Sequence, residues 1–164
     1  MITARKEVAT ARVGDFVVVA SGSGSDNNPS VSSEVYSITS DAWSATGPIG
    51  NARRYHLLVA VGSDVLALGG VHLGNLQGMI ERLSLAPLLH PAEELEVAAR
   101  GVAALALQWS NSSLTMQPAL WGMAVVANGL EIIVAGGATA TSAATAQNDV
   151  KVDPLQFAIC CLPG

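Results

Sequence analysis

The hydrophobic positions of this chain form short runs that are bounded by glycine and occur three times. Each run begins after a glycine and ends on another glycine eight residues later, over residues 14–22, 62–70 and 129–137. An apolar run precedes each of these segments across a turn containing glycine, which is the pattern of a β-hairpin. Because the pattern recurs, it indicates a repeat architecture in which each repeat is one supersecondary unit.

Two further segments follow each predicted hairpin. The first begins with an acidic residue 11 or 12 positions after the closing glycine and roughly alternates in polarity, as a third strand does. The second carries a large aromatic residue, expected to pack between units, and predicts a fourth strand. The opening acids are Glu34, Glu81 and Asp149, and the aromatic residues are Trp43, Trp109 and Phe157.

Each repeat therefore predicts a four-stranded antiparallel sheet, and there are three repeats. A single sheet of this kind cannot bury both faces, so neighbouring sheets are expected to stack. Four-stranded sheets that repeat at this period stack radially into a β-propeller. The predicted fold is all-β, with three four-stranded blades.

The ordered combination of these features resembles the kelch repeat, the blade of kelch-type β-propellers. The features that carry the resemblance are the pairs Gly69-Gly70 and Gly136-Gly137, the segment 34–36 that ends on Tyr36, Trp43, and the start at Arg53-Arg54-Tyr55-His56. Arg5 lies nine residues before Gly14, as Arg53 does before Gly62. The departures are Ser21-Gly22 in the first copy, Leu83 and Lys151 at the Tyr position, Leu120 at the third start, and Phe157 for the Trp.

The spacing of the repeats predicts an insertion. Gly14 and Gly62 are 48 residues apart, whereas Gly62 and Gly129 are 67 apart, against the ~50 residues of a kelch repeat. The second interval is thus 19 residues longer than the first (67 − 48). Leu83 and Trp109 are 26 residues apart, whereas the equivalent Tyr36 and Trp43 are 7 apart, which is the same excess of 19. This places an insertion at about 86–101 in the second blade. Residues 90–101 carry helix signals, with proline near the start, acids in the first turn, and arginine then glycine at the end. We therefore expect one short helix.

The resemblance implies a single partial propeller domain over residues 1–164. Its blades would cover 5–48, 53–115 and 120–163. Closed propellers have about 4–8 blades, so two explanations remain open. The chain is a fragment of a longer propeller, or two copies form a homodimer that closes a six-bladed ring.

The composition limits the cellular location and the classes of partner that we expect for this chain. Half of the residues are hydrophobic, 4% are aromatic, 13% are charged, and the net charge is −5. Without a basic cluster, nucleic acid is a poor partner. The apolar runs are far shorter than the ~20 residues of a membrane-spanning helix, and no signal-peptide pattern begins the chain. Adjacent Cys160 and Cys161 rarely bridge each other, so we expect reduced thiols and a cytoplasmic location.

No catalytic, cofactor or metal motif emerges from the sequence. Residues 21–24 resemble a phosphate loop by composition but lack the following lysine and helix. Residues 25–28 could supply oxygen ligands to calcium, but a solvated turn is the favoured interpretation. His56 follows the repeat pattern and is interpreted as a packed histidine. We expect no cofactor and no catalytic residue.

The resemblance implies a protein-interaction module that binds a partner through loops at one end of the blades. The loops are expected at 21–33, 71–79 and 138–148, and the alternative is part of a sugar-processing kelch-like enzyme of the oxidase or sialic-acid epimerase type. The candidate partner-binding residues are Arg53, Arg54, His72 and Asn75. For the repeat-start arginines, a structural role in pairing with acids or carbonyl groups is favoured. Structural roles are expected for Gly22, Gly69, Gly70, Gly136, Gly137, Tyr36, Trp43 and Trp109.

Overall fold

The computed structural model describes residues 1–89, 107–117, 119–128, 131–139 and 157–159. Among them, α1 (Ala86–Leu89) is a single helical turn, and no described helix is long and apolar enough to cross a membrane. The strands are β1 (Ala9–Val13), β2 (Phe16–Ala20), β3 (Ser33–Ser37), β4 (Ala42–Ala45), β5 (Leu57–Val61), β6 (Asp64–Leu68), β7 (Val71–His72), β8 (Asn75–Leu76), β9 (Met79–Ser84), β10 (Trp109–Thr115), β11 (Trp121–Asn128), β12 (Glu131–Ala138) and β13 (Phe157–Ile159).

The strands form three main antiparallel sheets in the order of the repeats. The first sheet is β1-β2-β3-β4, the second is β5-β6-β9-β10, and the third is β11-β12-β13. The first two sheets confirm the prediction of four-stranded antiparallel units. They also place the second unit's fourth strand after the predicted insertion.

The structure differs from the sequence prediction in two places, and two further predicted elements are not described. β13 pairs directly with β12, through Ile133 and Ala158, and so takes the place of a third strand rather than a fourth. Residues 71–79, predicted as a loop, contain the two-residue strands β7 and β8 of a small hairpin. The predicted third strand at 149–152 and the predicted helix at 90–101 lie outside the described residues, and α1 falls immediately before that helix.

The three main sheets stack through their first strands, because β1 contacts β5 and β5 contacts β11. One buried cluster lies between the first and second sheets and another between the second and third. The second sheet is therefore covered on both faces, and every residue of β6 is buried. This explains why β6 has a nearly continuous apolar sequence where a strand with one wet face would alternate.

A buried ion pair joins the start of each of the first two repeats to its third strand. The guanidinium of Arg53 contacts Glu81, and both side chains are at most 1% exposed. Arg5 contacts Glu34 in the first sheet, with side chains at most 3% exposed. Burial lowers the pKa of Arg53, and the charge and hydrogen bond of Glu81 oppose that shift.

Backbone hydrogen bonds complete the same arrangement in both sheets. The Glu81 carboxylate accepts the amide N–H of Gly50 at 2.6 Å and that of Asn51 at 3.3 Å. The Glu34 carboxylate accepts the corresponding amides of Ile2 at 2.6 Å and Thr3 at 3.0 Å. Burial alone would raise the pKa of Glu34, but these amide hydrogen bonds and Arg5 outweigh it and lower the pKa.

The Nη1 atom of each guanidinium donates to two backbone carbonyl groups. Arg53 Nη1 donates to the carbonyl of Gly69 at 3.2 Å and of Met79 at 3.1 Å. Arg5 Nη1 donates to the matching carbonyls of Ser21 at 3.3 Å and Ser32 at 2.7 Å. Each arginine thus holds together the repeat start, the residue pair that ends the hairpin (Ser21-Gly22 or Gly69-Gly70) and the third strand. This is the structural role favoured for these arginines from the sequence.

Leu120 occupies the arginine position in the third repeat. The amide of Gly22 donates to the carbonyl of Arg53 at 2.9 Å, and the amide of Gly70 donates to the carbonyl of Leu120 at 2.8 Å. These two bonds link each glycine pair to the start of the next repeat, which shows that Leu120 and Arg53 are equivalent. Leu120 is 3% exposed and packs in the cluster between the second and third sheets.

The glycine pairs adopt left-handed backbone conformations that few other residues tolerate. Gly69 and Gly70 have φ of +61° and +92°, and Gly70 lies so close to the repeat start that a Cβ would be 2.8 Å from the Arg54 carbonyl oxygen. Ser21 takes the first position in the first repeat at φ +55°. Its hydroxyl accepts the amide N–H of Arg53 at 2.7 Å, a bond between sheets that offsets the strain.

The two described tryptophans of the fourth strands occupy the same place in their sheets but have different surroundings. Trp109 packs against the cluster between the first two sheets and donates its Nε1 to the Ser33 hydroxyl at 3.0 Å. Trp43 is half-buried and stacks on Tyr36, with ring centroids 5.1 Å apart. The expected packing of Trp43 between units is absent from the described residues, because no described sheet precedes the first one.

The buried ion pair generates a stability prediction. Arg53→Ala leaves the Glu81 carboxylate buried without its counter-charge, so we expect a loss of about 3–5 kcal/mol in the free energy of unfolding. Urea unfolding followed by circular dichroism measures it. The matched control is Arg12→Ala, because Arg12 is exposed and its loss should change stability by about 0.5 kcal/mol or less. Equal losses for the two variants would contradict the role assigned to Arg53.

The glycine pair generates a second stability prediction. Gly70→Ala should lose about 2–5 kcal/mol, because left-handed strain adds to overpacking against His56, whose Cβ lies 2.7 Å from the point that the alanine methyl group would occupy. Gly62→Ala is the control, since Gly62 has φ +59° but no atom within 4 Å of that point. It should lose only the strain, about 1–2 kcal/mol. A Gly62→Ala variant as unstable as Gly70→Ala would show that close packing is not what selects glycine at position 70.

Candidate functional site

Residues at or just before the first strand of each sheet (β1, β5 and β11) meet on one surface of the molecule. We call Lys6, Glu7, Arg54, Tyr55 and Trp121 the strand-start cluster. Lys6, Arg54 and Trp121 each follow the equivalent repeat-start positions directly, while Glu7 and Tyr55 come one residue later. The cluster therefore draws residues from all three repeats, and it exists only when the sheets are stacked.

Glu7 and Tyr55 have left-handed backbone conformations, with φ of +57° and +56°. Gly122 occupies the equivalent position of the third repeat at φ +65°. A positive φ is ordinary for glycine but uncommon for a bulky residue such as tyrosine. Strained backbone of this kind is concentrated at functional sites. The positive φ of Tyr55 thus marks this surface as a candidate functional site.

The carboxylate of Glu7 is the polar centre of the cluster. Its Oε1 accepts the hydroxyl proton of Tyr55 at 2.7 Å, and its Oε2 accepts that of Ser23 at 2.8 Å. Arg54 Nη1 lies 3.7 Å from Oε2. One carboxylate from the first repeat therefore fixes two side chains of the second repeat in place.

The aromatic part of the cluster extends toward the third repeat. The Arg54 guanidinium carbon lies 5.4 Å from the centroid of the Tyr55 ring, within the range of a cation–π contact. The rings of Tyr55 and Trp121 have centroids 5.5 Å apart and are tilted by 50°, a separation that is favourable for aromatic pairs. The amide of Gly122 also donates to the Tyr55 carbonyl at 3.2 Å. Tyr55 is thus held from both sides.

The electrostatics of the cluster keep Glu7 ionised and Tyr55 protonated at neutral pH. Burial would raise the pKa of Glu7, but hydrogen bonds from Tyr55 and Ser23, with the charges of Arg54 and Lys6, outweigh it and lower the pKa. The hydrogen bond to Glu7, then burial, raises the pKa of Tyr55. Neither group is brought toward neutral pH, as general acid–base chemistry at that pH requires. The arrangement is suited to binding.

The cluster remains accessible although its members are fixed. Tyr55 is 40% exposed, and the side chains of Arg54 and Glu7 are 32% and 20% exposed. It therefore presents a phenol ring, a guanidinium and a carboxylate in set positions. Within the part of the chain that the structure describes, no group of three or more His, Cys, Asp or Glu side chains is arranged to hold a metal ion.

The structure separates the four residues predicted to bind a partner. Arg54 belongs to the strand-start cluster, but the Arg53 side chain is fully buried in its ion pair and has no surface to offer. His72 and Asn75 pair across the β7–β8 hairpin. His72 is partly buried and its Nδ1 donates to the carbonyl of Ala52 at 2.7 Å, whereas Asn75 is exposed.

The β7–β8 hairpin is attached to the strand-start cluster. Arg54 and Val71 exchange two backbone hydrogen bonds, at 3.0 and 2.9 Å, which join the hairpin to the start of the second repeat. Leu73 at its turn is 68% exposed. The hairpin therefore adds an apolar tip and the exposed Asn75 to the same end of the molecule.

The first long loop contributes little chemistry of its own. The Asp26 carboxylate accepts the backbone amide N–H of Asn28 at 3.1 Å and the side-chain amide of Asn28 at 3.0 Å. The hydrogen bonds of this carboxylate are therefore made within the turn. Asn27 accepts a hydrogen bond from Lys6, which fixes the loop to the cluster. Residues 140–148 of the predicted third loop, and Cys160 and Cys161, lie outside the described residues.

Sequence reasoning missed Lys6, Glu7, Tyr55 and Trp121 as site residues. The signal that could have found them is the alignment of the repeat starts at Arg5, Arg53 and Leu120. Placing the next two residues of each repeat in columns brings Lys6 together with Arg54 and Trp121, and Glu7 with Tyr55 and Gly122. The contacts across repeats connect residues 48 positions apart, which no local pattern reveals.

Comparison with known proteins adds no assignment. No protein-family model matches this chain, and no curated protein matches it either.

His56 lies next to the cluster in sequence but points into the interior. It is 3% exposed, and neither ring nitrogen has a hydrogen-bond partner of ordinary geometry among the described residues. Burial, then the charge of Arg53, lowers the pKa of His56 to about 3, and a weak interaction with the Ala20 backbone opposes the shift. The burial of His56 agrees with its interpretation from the sequence as a packed, structural histidine.

The shifted pKa of His56 generates a pH prediction. Because the folded pKa lies below the unfolded value near 6.5, the unfolded chain binds the proton first and stability falls as pH falls below about 6.5. Between pH 7 and pH 5 we expect a loss of about 2 kcal/mol. Urea unfolding at a series of pH values measures it.

The control for this prediction is His56→Met, since Met123 occupies the equivalent position of the third repeat. The variant should keep its stability between pH 7 and pH 5. Both proteins should then lose stability below about pH 4.5, where the lowered pKa values of Glu7 and Glu34 begin to matter. A wild-type curve that is flat down to pH 5 would contradict the burial of a neutral His56.

Proposed function

We propose that this chain is a kelch-type interaction module, in which the stacked sheets are propeller blades and the strand-start cluster binds a protein partner. The observation that carries the proposal is the exposed Tyr55, held at a strained backbone position between Glu7 and Trp121. Tyrosine, tryptophan and arginine are the residues that most often dominate protein–protein binding energies. All three occur in this cluster.

The rigidity of the cluster supports the same proposal. Association is opposed by the cost of ordering side chains, so groups that are fixed before binding contribute more affinity. The Tyr55 hydroxyl is already bonded to Glu7, its ring contacts Trp121, and the Arg54 guanidinium lies over the ring. These contacts leave Tyr55 40% exposed. A partner would meet a preformed aromatic surface.

The chemistry of the cluster indicates which partner surface would fit. Tyr55 offers an apolar ring face, and the exposed Leu73 of the β7–β8 hairpin offers a second apolar contact. Arg54 keeps a partly exposed guanidinium beside them. The complementary surface is therefore an apolar protein segment that carries a carboxylate or carbonyl group for Arg54.

The decisive variant is Tyr55→Gly. Glycine is the residue that the third repeat itself carries at this position, so the substitution removes the ring and its contacts while relieving backbone strain. We expect the fold to be retained and the affinity for the partner to fall by about 30-fold or more, which corresponds to about 2 kcal/mol. Partners captured by cross-linking to the full chain supply the ligand for titration calorimetry.

Two further variants make the result specific to the cluster. Tyr55→Phe keeps the ring and removes only the hydroxyl bonded to Glu7, so it should weaken binding much less than Tyr55→Gly. Arg12→Ala changes an exposed arginine outside the cluster and should leave the affinity unchanged. Full affinity in Tyr55→Gly, with the fold intact, would rule out the cluster as the binding surface.

A further inference from the structure

The sheets stack in one direction along the chain. We call the face that the first sheet turns toward the second its forward face, and the opposite face of each sheet its rear face. Alternation along the strands assigns the same faces in every repeat. Forward-face residues that form the two interfaces are Ala9, Ala11, Val18 and Ala20 in the first sheet and Val59, Val61, Leu66 and Leu68 in the second. Rear-face residues are Leu58, Val65, Ala67 and Leu83 in the second sheet and Val125, Ile132 and Val134 in the third.

This direction leaves one forward face without a described neighbour. The third sheet carries Val126 and Ile133 on its forward face, as a directly opposed cross-strand pair. They are 56% and 37% exposed, and Ala124 and Ala135 beside them are also exposed. Their equivalents in the second repeat, Val59 and Leu66, are buried in an interface. The forward face of the third sheet is thus an apolar stacking surface that none of the described residues covers.

The rear face of the first sheet likewise has no neighbouring sheet among the residues that the structure describes. Val17, Tyr36 and Trp43 lie on it side by side and are only half-buried, with the more exposed Thr10 and Arg12 on the adjoining β1. Trp43 pairs with Tyr36 as Trp109 pairs with Leu83 in the second sheet. Trp109 already makes the rear-to-forward contact within this chain. The same face of the first sheet is built for that contact.

We propose that the forward face of the third sheet docks on the rear face of the first sheet of a second copy of this chain. The geometry continues an interface that the chain already forms twice, between its first and second and between its second and third sheets. In the described part of the chain each copy carries one open face of either kind, so two copies satisfy all four faces in a closed dimer. The exposed Val126–Ile133 pair supplies the apolar surface that such a contact buries.

The test is the mass of the full chain in solution, by light scattering after size-exclusion chromatography. We expect twice 16.7 kDa for the wild type. Val126→Lys places a charge in the proposed contact and should halve the mass. Thr10→Arg does the same from the other face, at a position that is exposed in the single chain. Leu73→Lys is the matched control, because Leu73 is exposed but lies on neither face, and it should leave the dimer intact.

Each other outcome overturns the proposal. A wild-type monomer at all concentrations excludes self-association, and particles that grow beyond two copies exclude the closed dimer. A dimer that survives both Val126→Lys and Thr10→Arg assigns the contact to other surfaces. Far-UV circular dichroism that matches the wild type shows that each variant is folded. The faces are distinct from the strand-start cluster, so Tyr55→Gly should leave the mass unchanged, and the two proposals fail independently.

Discussion

The buried pairing of a repeat-start arginine with a third-strand glutamate is the interaction on which the sheets depend. A single guanidinium, that of Arg53, reaches the carboxylate of Glu81 and the carbonyl groups of Gly69 and Met79. Removing two charges from water is costly, and the cost is recovered only when their hydrogen bonds are made in full. The Glu81 carboxylate also accepts backbone amides from the segment before Arg53. The pair therefore fixes the start, the hairpin and the third strand of its repeat in one geometry.

The same constraint positions the residues that face the solvent. Since Arg53 must point inward, Arg54 is turned outward, and the left-handed backbone at Tyr55 brings the chain back into β5 with His56 buried. The strand-start cluster thus lies directly beside the buried Arg53–Glu81 ion pair. If the cluster binds a partner as proposed, this support reduces the conformational entropy lost on binding.

Much of the fold could be predicted from the sequence because its determinants are local and recur. The glycine pairs, the opening acids and the spacing of the aromatic residues predict three four-stranded sheets, and the structure shows the first two of them with four strands. The surroundings of Trp43 could not be predicted, because they depend on whether another sheet precedes the first. The contact of Glu7 with Tyr55 joins separate repeats, so the pattern within either repeat contains no sign of it. The pairing of β13 with β12 could not be predicted either, because the position of Phe157 matches the spacing of a fourth strand.

In the proposed function, the way the cluster is assembled couples partner binding to the stacking of the sheets. Glu7 comes from the first repeat, Arg54 and Tyr55 from the second and Trp121 from the third, so a partner that contacts all of them binds only the stacked arrangement. Any ligand selective for the folded arrangement stabilises it in proportion to its occupancy. In repeat proteins the interfaces between neighbours carry much of the stability, and the partly exposed ion pair of Arg54 with Glu7 adds little to them by itself. The proposed partner would therefore contribute more to the stability of the stacked sheets than the Arg54–Glu7 ion pair does.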